Sequence, residues 1–452
     1  MNSRTIRIGL AAPLAAAALV LAPGTMALAA SPSPSASASP SPSPSPVGPW
    51  RPQTTPVEEH LHGIFAFDGC HAWAVGEEAG DGKVAGAQSS LIATADGGKT
   101  WKNQTFPPGS ALRTTMNRVF FTDVNSGYAA GEGSNRSQQQ QAGSRPRFPA
   151  ATPSPSPSPI VPTGPNFIVT TNGGATWVDL SANLPAETKG TSGNQDIEGL
   201  TAIGDKVWIA EDNNNVGIIA YSANRGATWT VQKNVADDTF SSISMYDANN
   251  GFATSDGRNL WRTTNGGAAW NQVAQPAVIA EGVWATGPSS AVIVEGSGKI
   301  AYTSDGSTLF PATLPQGVTG DILDVAFGTA SDGLASGELD GSLLETSDGG
   351  KNWTLQTANA GNNNFNGVTM AKGTTVSFVT GESGVVAGNT DPAVGCVAAA
   401  QLPANTSATP KLPAAGFGTN FEGPLWIGFV LMVLMGLGVG GRAVAQGIRS
   451  RV

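Results

Sequence analysis

The chain has 452 residues, a formal net charge of −9 and only 13% charged residues. A charge-poor, acidic sequence excludes a phosphate-tracking nucleic-acid surface, which needs clustered Lys and Arg. Its 58 glycines and 31 prolines favour turns between short strands over long helices.

Residues 1–30 have the three parts of a secretory signal peptide. Arg4 and Arg7 give a positive start, Ile8 to Leu21 an apolar run, and Ala27-Leu28-Ala29 a small-x-small cleavage site. An uncleaved anchor helix is the alternative, and the apolar run is short for it. Residues 31–48 are almost all Ser, Pro and Ala, a composition that buries no core and reads as an extended linker.

From residue 49 to 396 the sequence repeats. Six segments share one pattern: Thr94–Trp101 (TADGGKTW), Thr170–Trp177 (TTNGGATW), Ser222–Trp229 (SANRGATW), Thr263–Trp270 (TTNGGAAW), Thr303–Phe310 (TSDGSTLF) and Thr346–Trp353 (TSDGGKNW). The last four start 41, 40 and 43 residues apart, a propeller-blade period. In each, Asp96, Asn172, Asn224, Asn265, Asp305 or Asp348 is placed to accept hydrogen bonds from turn N–H groups, while Gly supplies positive φ. The closing Trp101, Trp177, Trp229, Trp270, Phe310 or Trp353 is expected to start the next strand and plug the core. Strand–turn–strand pairs precede the boxes, as in Arg118–Gly131, Ser242–Ser255 and Asp324–Gly337, with others starting near Gly63, Gly199, Gly282 and Gly367. Each unit therefore reads as four strands, A to D, with D starting at the aromatic residue.

There are seven starts for six boxes. The seventh unit, Gly367–Asn389, lacks a Trp-led strand D, and Trp50-Arg-Pro-Gln copies Trp101-Lys-Asn-Gln. Residues 49–57 are thus expected to close the ring as the outer strand of the last blade, leaving an all-β, seven-bladed β-propeller with no open edge. Cys70 falls in the A–B turn of blade 1 and Cys396 where blade 7 has its C–D turn. Those turns share a face in adjacent blades, so a Cys70–Cys396 disulfide is predicted, suited to an exported protein. Residues 134–165, rich in Ser, Pro and Gln, read as a disordered insert in the B–C loop of blade 2.

Residues 397–424 form a stalk. Leu425 to Gly441 is an apolar segment of about 17 residues, near the lower limit for a transmembrane helix. The basic tail 442–452 carries Arg442, Arg449 and Arg451, which places the C-terminus in the cytoplasm and the propeller outside the cell membrane. Setting aside the two signal and three tail arginines leaves 19 Lys+Arg against 33 Asp+Glu, a net −14 outside the membrane. Leu412-Pro-Ala-Ala-Gly416, the apolar segment and the basic tail follow one another in an order that resembles a sortase sorting signal, with Ala415 where that motif has Thr. The resemblance implies transfer to peptidoglycan in the cell wall; a plain single-pass anchor is the preferred reading. The stalk leaves from the A–B/C–D face, so the D–A/B–C face is expected to look away from the membrane.

The recurring Gly-Tyr-Ala or Gly-Phe-Ala and Thr-x-Asp-Gly-Gly-x-Thr-Trp segments over residues 49–396 resemble the photosystem II stability/assembly factor group of seven-bladed Asp-box (BNR-repeat) propellers. They are similar more widely to the sialidase and sortilin-type Asp-box proteins. That resemblance implies a disc that scaffolds or escorts other proteins, with a protein or a cell-surface glycan as ligand.

An Asp-box carbohydrate-active hydrolase is the competing class. A sialidase needs a Tyr nucleophile and an arginine cluster, yet Tyr128 and Tyr221 occupy ordinary strand positions, and Arg113, Arg118, Arg225, Arg258 and Arg262 form no motif. A glycosidase needs two facing carboxylates; Asp237, Asp238, Glu281 and Asp321 are candidates by their loop positions alone. His60, His62 and His71 cluster beside Cys70, with His60 and His62 on one face if their segment is a strand. Glu211-Asp212-Asn213-Asn214-Asn215 is an oxygen-rich stretch that reads as a polar loop, lacking the EF-hand spacing for Ca²⁺. No catalytic, cofactor or metal residue is assigned, and a non-enzymatic binding module is the expectation.

Overall fold

The computed structural model describes residues 49–78, 89–106, 115–133, 164–189, 195–213, 215–390 and 396. They form seven four-stranded antiparallel sheets, six of them in chain order. Blade 1 runs Leu61–Ala66, Ala72–Glu78, Ser89–Thr94 and Lys102–Asn103 as strands A to D. The seventh sheet is composite. Phe365–Met370, Ser377–Gly381 and Val386–Gly388 are its strands A to C, and Arg51–Gln53 is strand D, with Arg51 opposite Gly388. The ring is therefore closed by the first described strand. The segments expected to be a signal peptide, linker, stalk, transmembrane helix and tail, and most of the expected insert, lie outside the described residues, among which no helix is long and apolar enough to cross a membrane.

Strands A surround the central channel, and all seven A–B pairs bulge at one place. The register slips between Leu61 and Gly63, Met116 and Arg118, Ile197 and Gly199, Phe240 and Ser242, Ala280 and Gly282, Ile322 and Asp324, and Phe365 and Gly367. A bulge bends the strand and re-aims a side chain. Three of the skipped residues lace one blade to the next. Asn366, Asn117 and Ser241 donate to the carbonyls of Leu61 (3.1 Å), Ile197 (3.4 Å) and Ala280 (2.6 Å), each the residue just before the next blade's bulge. Asp324 and Ser242, one residue further on, accept the N–H of Val368 (3.0 Å) and Val283 (3.2 Å) from their neighbours.

The core lies between blades. Trp73 stacks on Phe121 with ring centroids 3.5 Å apart, and Trp177 meets Phe121 edge-on at 6.0 Å. Buried aromatic pairs of this kind add about 0.5–1.5 kcal/mol beyond their area. Trp50, Trp101, Trp177, Trp270 and Trp353 are buried, while Trp229 is half-buried.

The box turns share one hydrogen-bond pattern. The first Thr or Ser donates to the Asp or Asn carboxyl or amide oxygen: Thr94 to Asp96 (2.8 Å), Thr170 to Asn172 (3.0 Å), Ser222 to Asn224 (3.0 Å), Thr263 to Asn265 (3.0 Å) and Thr346 to Asp348 (2.9 Å). The same hydroxyl accepts from a glycine N–H four residues on. Arg225 occupies the left-handed position that Gly fills elsewhere, at φ 59°, and its Nε binds Asp205 at 2.6 Å.

Strand D starts one residue after the box aromatic, not at it, in every blade but the fifth. Blade 5 also departs from the plug expectation. Asp305 closes its turn on the N–H of Thr308, three residues on, whereas Asp96 reaches Thr100, four on. The chain leaves that turn one residue out of step. Leu309 packs on the core, and Phe310 is 41% exposed, stacked on Tyr302 at 5.6 Å.

Candidate functional site

The two faces of the ring use their acids differently. On the A–B/C–D face the carboxylates are consumed by turns. Asp68 accepts the N–H groups of Cys70 and His71 (both 2.7 Å), Asp123 those of Asn125 and Ser126, and Asp247 those of Asn249 and Asn250. Accepting several hydrogen bonds favours the charged form, and Asp68, Asp96, Asp247 and Asp348 are held below the ordinary Asp range against the opposing effect of burial. The Cys70–Cys396 disulfide is present on this face, with Cα atoms 4.9 Å apart. His71 sits beside it with Nδ1 3.0 Å from Asp68; that hydrogen bond raises the imidazole's pKa against burial.

The opposite face, of D–A and B–C connections, carries a ring of acids. Strand pairing aligns Gly76, Gly131, Glu211, Ser255, Glu295, Gly337 and Gly381, each opposite the last residue before a bulge. The next residue is acidic in six blades: Glu77, Glu132, Asp212, Asp256, Glu338 and Glu382. Blade 5 has Gly296 there, with Glu295 one earlier. The backbone fixes this crown. The N–H groups of Glu77, Glu132, Asp256, Gly296, Glu338 and Glu382 donate to carbonyls of the D–A connections, at 2.8–3.3 Å. A Cβ on Gly76, Gly131, Gly337 or Gly381 would collide with a D–A carbonyl oxygen, so the entering chain passes directly over those positions.

Inside the mouth stands Arg118, with Nη1 3.2 Å from the carbonyl of Asn117. Its charge opposes the rise that burial imposes on Asp324 and Glu281, which belong to blades on the far side of the channel. Glu281 is pushed up by burial, then by Asp256, Asp321 and Glu198. Asp256 is pushed up by burial and by Asp238. The mouth is thus crowded with carboxylates around one guanidinium.

The carboxylates singled out from sequence do not share one role. Asp238 is fully used inside the fold, accepting from Thr239, Gly257, Ser255 and Asn259 at 2.6–2.9 Å. Together with Asn215, Asp237, Thr239, Asp256 and Gly257 it lines a shallow cleft of about 350 Å³. Glu281 is the skipped residue of a bulge, and Asp321 accepts the N–H of Ser297. Tyr128 is buried with its hydroxyl donating to Gly204, and Tyr221 is half-buried beside Trp208. His60 precedes strand A instead of sharing its face with His62. His62, at the bulge, places Nε2 3.5 Å from Glu77. The stretch read as a polar loop begins as strand: Glu211–Asn213 ends strand B of blade 3. Among the described residues no three His, Cys, Asp or Glu are grouped to hold a metal.

The sequence matches no protein-family model, and no curated protein matches it significantly. Solved structures share its fold. YCF48 bound to a D1 peptide is 20% identical, with TM-score 0.52 over 75% of this chain and 96% of that one. YCF48 from Cyanidioschyzon merolae is 18% identical, with TM-score 0.53 over 75% and 98%. A GH74 enzyme from Niastella koreensis is 13% identical, with TM-score 0.52 over 76% of this chain and 53% of its own length. At these identities the likeness is one of fold.

Proposed function

We propose that the chain is an exported, membrane-tethered binding or assembly propeller that holds a segment of another protein at its acidic mouth. The crown carries this reading: six blades set an acidic residue at one register position around the channel mouth, and backbone hydrogen bonds to the D–A connections fix five of those positions. Support also comes from the shared fold with a propeller solved with a peptide bound. In this reading the mouth faces away from the membrane, since Cys396 fastens the start of the stalk to the other face.

A photo-crosslinking amino acid in place of Glu338, compared with one in place of Lys351 on the opposite face, tests it in the native envelope. Discrete protein adducts from position 338 alone are expected. Equal adducts from both positions, or none, would sink the reading.

A carbohydrate-active hydrolase is the second reading, favoured by the raised carboxyls of Glu281 and Asp256 at the mouth, since a general acid must be protonated near neutrality. Turnover of sialyl or β-glucan substrates, abolished by Glu281→Gln, would replace the binding reading with this one.

A further inference from the structure

The chain leaves the ring through a short strand. Strand C of blade 7, Val386–Gly388, has three residues, and it is the sheet neighbour of the closing strand Arg51–Gln53. Pro52, opposite Ala387, brings no N–H to that pairing. A pull on the chain beyond Asn389 would therefore load the ring at its closure, where two three-residue strands slide past one another.

The outgoing chain is then fastened across the seam to blade 1. Thr390 donates to the carbonyl of Gly97 at 2.8 Å, and Cys396 is bridged to Cys70. Cys396 lies against the same box turn, since a Cβ on Gly97 would stand 3.4 Å from the Cβ of Cys396. Cys396 is exposed and Cys70 is buried, so the bridge runs from the outgoing chain into the body of the blade.

Cys70 is the firmer holding point. It sits in the turn between strands A and B of blade 1, six and seven residues long. Its N–H is held by Asp68 at 2.7 Å, and its carbonyl accepts the N–H of Gly97 at 3.0 Å. Both neighbouring blades grip this hairpin. Leu61, Ala66, Ala72 and Ala74 share a buried cluster with Phe378 and Val386 of blade 7. Trp73 and Val75 share another with Phe121 and Ile168 of blade 2, and the Trp73 indole donates to the carbonyl of Gly173 at 3.0 Å. Extracting the hairpin would break two interblade cores, whereas extracting strand C of blade 7 slides three residues.

We propose that the Cys70–Cys396 bridge is a strain relief: tension entering from the C-terminal side passes through it into blade 1 and bypasses strand C of blade 7 and the closing strand. The covalent bond meets that tension before Thr390 does, because Cys396 follows Thr390 in the chain. Rupture under load is governed by the unfolding barrier of the loaded element, not by overall equilibrium stability. A bridge that merely stabilised the fold would slow rupture from either end of the chain. A strain relief protects one end.

The full chain is held at constant force between a click-chemistry handle at position 338, on the crown, and either its C-terminal or its N-terminal end. With the C-terminal handle, Cys70→Ser/Cys396→Ser is expected to rupture first about tenfold faster or more than the unaltered chain. With the N-terminal handle the closing strand is loaded directly, and the two chains should agree within about twofold. Equal acceleration from both ends, or none from the C-terminal end, would overturn the strain relief. Should the double variant fail to fold, the unaltered chain with and without reductant gives the same comparison. The inference rests on the proposed C-terminal tether, and native envelopes separate the two. Release of the chain by a carbonate wash would remove the tether and leave the bridge no load to divert, whatever the rupture rates. Retention, with rupture accelerated equally from both ends, would keep the tether and remove this role.

Discussion

The indole Nε1 of Trp101 in blade 1 donates to the side-chain oxygen of Gln53 in the closing strand at 2.8 Å. Gln53 Nε2 lies 3.4 Å from Thr390 Oγ1, and Thr390 donates to the carbonyl of Gly97 at 2.8 Å. The first strand, the last blade and the first box are thus tied through one amide. Blade 3 repeats the device, with Gln232 accepting from Trp270 of blade 4 and donating to Gly266. Gln53→Leu leaves the buried indole N–H without its acceptor and removes the tie to Thr390. The expected loss is about 1–3 kcal/mol in equilibrium unfolding. A change below about 0.5 kcal/mol would show that the amide is not part of the closure.

The disulfide closes a loop of 326 residues around the same seam. Chain-entropy reasoning gives such a cross-link about 6 kcal/mol as an upper figure, and disulfides typically deliver about 2–4 kcal/mol. Cys70→Ser/Cys396→Ser should therefore unfold at clearly lower denaturant while keeping the strand signal of the native ring. Two thiols should become alkylatable only after reduction, as read by intact mass. Alkylation without reductant would refute the bridge.

The box carboxylates are fold determinants. Asp348 accepts from Lys351 N, Asn352 N, Asn352 Nδ2 and Thr346 Oγ1 at 2.7–3.0 Å. Asp348→Ala should cost about 1–2 kcal/mol. Asp348→Asn should cost much less, since Asn172 makes the equivalent turn with its own amide oxygen. Equal losses from the two variants would show that charge, not hydrogen-bond geometry, matters there.

The ring was legible in sequence because each blade announces itself at its outer turn, where a Thr, an Asp or Asn and a Gly meet conformational demands few residues satisfy. The closing strand was legible because Trp50 and Gln53 copy Trp101 and Gln104. The crown was not, since its acids occur one at a time, about a blade apart, in different company: Gly-Glu at 76–77 and 131–132, but Glu-Asp at 211–212 and Ser-Asp at 255–256. Only the bulge register shows that these are one position. Phe310 misled for a different reason. Its box has the common length, but Ser307 stands where the other five boxes have a positive-φ Gly, and the turn closes one residue early.

Stability should depend on pH with opposite signs on the two faces. Asp68, Asp96, Asp247 and Asp348 are lowered in the fold, so their contribution is present above the unfolded Asp value, about 3.9, and is lost as pH falls through their folded values. Glu211 is raised by burial and then by Asp196, so its contribution is present below the unfolded Glu value, about 4.3, and is lost as pH rises through its folded value. Glu281 and Asp256 act in the same direction as Glu211. The thermal midpoint of the unliganded chain should therefore peak in mildly acidic solution and fall on both sides. Glu211→Gln, which cannot ionise, should leave the midpoint unchanged near pH 4.5. At pH 8 it should raise it, by roughly 2–4 °C for each kcal/mol recovered. A variant that melts lower than the unaltered chain at pH 8 would mean that ionised Glu211 is compensated inside the fold.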